Sequence, residues 1–193
     1  FNWLNTYGYD INVVPFNIKR EIDVCALFGT VPESYEHKLR TDVFYNSPRV
    51  KMLDIISNMN FNCKTSRKHG KLPKNQYYNT LTQSKIYVSP YGFGEYAIRD
   101  LEAMQFGCIL IKPDMSHMDG IPNIFYKDKT YISCKPDLSD LEEKIEYAVS
   151  NYETIYPTFY KNVKDMIVKE FDPYIPIKYY HDFLKKLPEI TVS

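Results

Sequence analysis

The sequence lacks any apolar run of the ~18 residues that a bilayer-crossing helix needs, so no membrane span is expected in this chain. It lacks an excess of charge of either sign. Lys+Arg and Asp+Glu both number 24, which removes any general attraction to nucleic acid or to an anionic membrane. Any anionic ligand must then be held by a local cluster of positive charge. Cysteines are few: Cys25, Cys63, Cys108 and Cys134 show neither CxxC nor Cys/His ligand spacing, and Cys25 and Cys108 stand inside apolar runs. Buried reduced thiols are expected rather than disulfides or a metal site, which fits a reducing, cytoplasmic compartment. A signal peptide is absent, but the chain opens Phe1-Asn2-Trp3 without a methionine. It reads as a piece of a longer protein whose other part could carry a targeting signal, a membrane anchor leading to a lumenal site, or a second domain. No internal repeat or low-complexity segment is present.

What is there supports a core. Apolar residues make up 44% and charged residues 25% of 193 residues, which argues against disorder and suits one domain with an appended helical tail. Residues 1–21 have no clean period and are interrupted by Pro15, so they read as a linker or a strand from a missing N-terminal half. A buried strand is expected at Ile22 to Phe28, stopped by Gly29. A polar loop follows, then a helix opening at Ser47-Pro48 with Val50, Leu53, Ile55 and Ile56 at helical spacing. Further strands are expected at Phe61–Thr65, Ile86–Ser89, Cys108–Ile111 and Thr130–Ser133. Helices are expected over about Gln76–Gln83, Tyr96–Phe106 (ended by Gly107 in the left-handed position) and Leu141–Val149, capped by Asp137 or Ser139. A basic loop covers Ser66 to Lys74, and two more helices fill the tail, punctuated by Pro157, Pro173 and Pro176. Short apolar strands alternating with helices indicate a Rossmann-like parallel sheet with helices on both faces over 22–150 and a helical C-terminal extension over 151–193.

In such a sheet, ligands sit beyond the carboxyl ends of the strands. The stretch Ile86 to Phe106 has the layout of a site: strand, Ser-Pro, two glycines, helix. Gly92 and Gly94 let backbone amides approach an anion, and the helix N-terminus adds positive potential, so phosphate is the natural occupant. A plain tight turn explains an isolated GxG as well. On the expected helix, Glu95, Arg99 and Glu102 recur at i, i+4 and i+7, within about 20° of one direction. That stripe suits a phosphate flanked by sugar hydroxyls; exposed i,i+4 ion pairs are the plainer account. The basic run from Lys64 to Lys74 has no interleaved aromatics, so a solvated loop beside a nucleotide base is preferred to nucleic-acid binding. His117 follows the fourth strand and could face a cleft as proton acceptor or sugar ligand, or be a structural loop histidine. The aromatic residues of the tail, from Tyr156 to Phe183, read as helix-packing groups.

Tyr87-Val88-Ser89-Pro90-Tyr91-Gly92-Phe93-Gly94-Glu95, Arg99-Asp100-Leu101-Glu102-Ala103-Met104, Gly107-Cys108-Ile109-Leu110-Ile111 and Lys112-Pro113-Asp114-Met115-Ser116-His117 together resemble the donor-site signature of GT-B glycosyltransferases. The exostosin-like branch, including versions in large DNA viruses of algae, is the most similar. The resemblance covers roughly residues 22–149. It implies one half of a GT-B architecture and transfer of a sugar from a nucleoside-diphosphate sugar to an acceptor hydroxyl on a glycan or glycoprotein. The alternatives are a non-catalytic nucleotide-sugar-binding module or a GT-B sugar-nucleotide epimerase. It further implies that Ser89, Gly92, Phe93, Gly94, Arg99 and Asp114 belong to the donor site. An early acid, Glu95, would contact the sugar and a later one, Glu102, the ribose, with His117 beside the reacting group. The acids stand seven apart here rather than the commoner eight, so either can be the one that touches the sugar. GT-B enzymes generally use no bound metal, so no cofactor is expected. The counter-charge would come from Lys38 and Arg40, in the loop after the first strand; solvated loop charges are the competing reading. The chain is too short for two such halves, so a missing N-terminal half would complete the cleft.

Overall fold

A computed structural model describes residues 13–30, 47–92, 95–118 and 120–171, together with positions 177, 178, 181, 182 and 185. Strands β1 (Ile22–Ala26), β2 (Cys63–Thr65), β3 (Ser84–Val88), β4 (Ile109–Pro113) and β5 (Tyr131–Cys134) form one sheet in the order β2-β1-β3-β4-β5. Every pairing is parallel, with Val24 opposite Ile86, Ile86 opposite Ile109 and Leu110 opposite Tyr131. Helices α1 (Ser47–Asn58), α2 (Ser66–His69), α3 (Lys74–Thr82), α4 (Ile98–Gln105), α5 (Leu141–Ser150) and α6 (Tyr152–Glu170) connect and cover it. The expected Rossmann-like α/β fold is thus the one observed.

Strand side chains alternate between the two faces, and two cores follow. Val24, Ala26, Ile86, Val88, Ile109 and Ile111 meet Met52, Leu53 and Ile56 of α1 and Leu141 and Ile145 of α5. Cys25, Tyr87, Leu110 and Tyr131 meet Leu81 of α3 and Leu101 and Met104 of α4 on the other face. Helix α6 serves both. Tyr152 and Tyr156 join the first core, and Val163, Met166 and Ile167 the second. No described helix is long and apolar enough to cross a membrane. All four cysteines are free thiols, three of them buried.

Several boundaries differ from the sequence expectation. The basic stretch is not all loop, because α2 occupies Ser66–His69 and α3 already begins at Lys74. Neither Asp137 nor Ser139 caps α5. Asp140 holds that position, while Asp137 accepts from the Ser139 amide in a local turn. Pro157 does not break the tail. In the second turn of α6 it removes one i→i−4 bond, and the Tyr152–Tyr156 stack, with ring centroids 4.8 Å apart, holds that turn together. The second expected tail helix falls largely outside the described residues. Helix α4 starts at Ile98, later than expected, and Glu95 precedes it in a left-handed conformation with φ 61°. Glu95, Arg99 and Glu102 therefore do not form one helical stripe.

Residues before β1 pack on this body. The Val14 amide donates to Gln105 O at 2.8 Å. Buried Arg20 donates to the carbonyls of Leu81, Thr82 and Ser84 and to that of Phe106, placing a cation at the carbonyl ends of α3 and α4.

Candidate functional site

The strand order turns at β1 and β3. From β1 the chain moves out to β2, and from β3 it moves the other way to β4. In a parallel sheet, such a reversal between neighbouring strands is where a ligand crevice opens at their carboxyl ends. Arg49, from the first turn of α1, bridges the loops that follow β1 and β3. It is 1% exposed, and it donates through Nη1 to Gly29 O at 2.8 Å and through Nη2 to Tyr91 O at 2.7 Å.

The loop between β3 and α4 is fixed from below by charge. Lys112 and Asp100 are both 0% exposed and lie 3.0 Å apart. Lys112 Nζ also donates to Pro90 O at 2.9 Å. Asp100 accepts from the Ser89 hydroxyl and, at 3.2 Å, from the amide of Ala97, the N-cap residue, which has no side-chain oxygen of its own. The acid three residues into α4 therefore folds back to satisfy the cap amide. Burial pushes the Lys112 pKa down, Asp100 opposes this, and the Arg99 and Arg49 guanidiniums push it further down. Two guanidiniums thus stand close to the buried Lys112–Asp100 pair.

The expected site residues separate into groups. Ser89 is buried and spends its hydroxyl on Asp100. Gly92 sits where a Cβ would lie 3.1 Å from Tyr96 O, so the loop closes tightly on itself. Glu95 and His117 come together: Nε2 lies 2.9 Å from Oε2, on side chains that are 50% and 41% exposed for His117 and Glu95. Tyr91 stands edge-on to the His117 ring and donates its hydroxyl to Asp114 O at 2.8 Å. The Asp114 carboxylate accepts from Lys127 at 2.8 Å and from the Ser116 amide at 2.7 Å; these bonds, Lys127 first, hold its pKa down at about 2. Arg99 has a buried Nη1 with no hydrogen-bond partner. Glu102 is buried and accepts from the hydroxyls of Tyr77 at 3.2 Å and Tyr78 at 3.1 Å, two α3 residues. Lys38, Arg40, Phe93 and Gly94 lie outside the described residues. Among the described residues, no cluster of three or more His, Cys, Asp or Glu could hold a metal ion.

On the β1 side of Arg49 lies a cavity of ≈ 580 Å³, lined mostly by apolar groups including Leu27, Phe28, Val50, Leu53 and Tyr77, with Arg67 and Lys71 also on its wall. Sequence reasoning passed over Asp100, Lys112 and Arg49. A lysine closing the apolar strand Ile109-Leu110-Ile111 was a usable signal, as was an acid three residues past a helix start. Nothing local marked Arg49.

No protein-family model matches the sequence, and no curated protein matches it significantly. Among solved structures the chain is similar to TarM, a GT-B glycosyltransferase, with a TM-score of 0.58 and 17% identity. The match covers 90% of this chain and 37% of TarM, so the chain spans little more than a third of that protein's length. At that identity the likeness speaks for the fold: a Rossmann-like α/β domain such as forms one half of a GT-B enzyme.

Proposed function

We propose that this chain is the donor-binding half of a glycosyltransferase, exostosin-like by its sequence motifs, that moves a sugar from a nucleoside diphosphate to an acceptor hydroxyl on a glycan or glycoprotein. The observation that carries the reading is the meeting of Glu95 and His117 at 2.9 Å, from the loops after β3 and β4, beside the start of α4 and across Arg49 from the cavity. A donor laid across the crevice has its base in the cavity and its sugar beside Glu95 and His117. Its diphosphate then lies at the loop amides and the head of α4, near Arg99. Glu102 keeps lone pairs beyond those taken by Tyr77 and Tyr78 and serves the ribose. Cations and amides stabilise the leaving diphosphate as the glycosidic bond breaks, and Lys38 and Arg40 add to that charge. The acceptor cleft comes from a second half.

Calorimetric titration separates the two acids. E102Q keeps size but loses a charge-assisted acceptor, so it should weaken nucleoside diphosphate and full donor alike. E95Q should leave diphosphate affinity nearly intact while lowering donor affinity or turnover. Equal losses for both ligands in E95Q, with none in E102Q, would show the roles reversed. Failure of every nucleoside diphosphate to stabilise the wild-type chain in a thermal-shift screen would sink the reading, since ligand at 100 times its dissociation constant stabilises by about 2.7 kcal/mol.

A further inference from the structure

The cavity beside Arg49 has mostly apolar walls and two cations on them, Arg67 and Lys71. Leu27 and Phe28 follow the end of β1, Val50 and Leu53 come from α1, Leu72 from the link between α2 and α3, and Tyr77 from α3. Of the two cations, Arg67 forms an ion pair with Asp54, which stands one helical turn beyond Val50 and is not itself part of the cavity lining. Both side chains are 48% exposed, so neither is sealed off from a ligand. The pair is joined through one guanidinium nitrogen and one carboxylate oxygen. A carboxylate has about four lone-pair sites and a guanidinium five N–H donors, so each keeps capacity for a third party.

A donor fork on the wall of the cavity, with the carboxylate it holds beside it, complements a planar ring that presents an acceptor next to two donors. We propose that the cavity takes the base of the nucleotide and that this base is guanine, with O6 accepting from Arg67 and N1–H and the 2-amino group donating to Asp54. The inference rests on the nucleotide-binding reading above. Uracil offers a single donor between two acceptors. Cytosine and adenine turn ring acceptors toward the carboxylate. Only guanine gives both oxygens of Asp54 a proton while leaving an acceptor for Arg67.

The test is calorimetric titration of the full chain with GDP, IDP, UDP and ADP, IDP being the guanine nucleotide without its 2-amino group. GDP should bind about tenfold or more tighter than each of the others, the scale of one good bidentate base contact. D54A, and the isosteric D54N, should bring the GDP-to-IDP affinity ratio down to about one. R67A should weaken GDP and IDP alike, because both carry O6. Binding of UDP or ADP as tight as that of GDP, or a GDP-to-IDP ratio unchanged in both Asp54 variants, overturns the guanine assignment and leaves the nucleotide reading standing. If none of the four binds, the guanine assignment falls, and the nucleotide reading falls with it only when CDP and dTDP fail as well.

Discussion

Lys112 occupies the fourth position of an apolar strand, and its ammonium meets Asp100 and Pro90 O and lies over the Tyr91 and Phe125 rings. A buried pair of this kind adds little net stability over a well-packed apolar pair, but removing one partner leaves an uncompensated buried charge. K112M should therefore lower unfolding stability by ~3–5 kcal/mol, read by urea denaturation. A loss under ~1 kcal/mol would mean that Asp100 does not depend on this lysine. Asp114 is the opposite case, at the surface and strengthened by its bonds from Lys127 and Ser116, with a pKa of about 2 against an ordinary 3.8. Folded protein then binds fewer protons at this carboxyl than unfolded chain does, so the group stabilises above 3.8 and that contribution fades as pH falls toward about 2. D114N should lose less stability than wild type over that acid range. Parallel curves for the two proteins would refute the linkage.

Helix α4 shows how an element is specified at both ends. Its start is closed by Asp100 turning back to the Ala97 amide. Its end is closed by Gly107 at φ 76°, with the Gly107 amide on Met104 O and the Cys108 amide on Ala103 O, both at 2.9 Å, the paired bonds of a Schellman end. Glycine was legible there from position alone. A second reason came only with the fold: a Cβ at 107 would lie 2.3 Å from Arg20 Nη2, the group that caps α4 through Phe106 O. G107A should cost ~1–2 kcal/mol for the left-handed backbone alone, and more once Arg20 is displaced. Thermal unfolding of G107A beside the double variant R20M/G107A measures the two parts. Equal costs for glycine loss with and without Arg20 would show that the close approach is not strained.

For the whole molecule, one sheet order places three features in a row: the apolar cavity, the Arg49 bridge, and the Glu95–His117 pair. If amides and cations alone neutralise a bound diphosphate across that row, donor affinity should be the same with and without EDTA. Loss in chelator, restored by manganese or magnesium, would point to a metal-dependent site. Hydrophobic periodicity, read from the sequence alone, determined the five strands and most of the helices, because alternation and 3.6-residue spacing are properties of neighbours in the chain. It also located the loop at residues 89–95, since Ser-Pro and glycine act locally. What only the tertiary structure decided is which charges face one another. It set Glu95 outside α4 and against His117, 22 residues on, and turned Glu102 toward Tyr77 and Tyr78. It also gathered Arg49, Asp100 and Lys112 from three elements beneath one loop. Such pairings join residues from 12 to 42 positions apart, and no local period encodes them. They exist only once the parallel sheet has brought the ends of separate strands side by side.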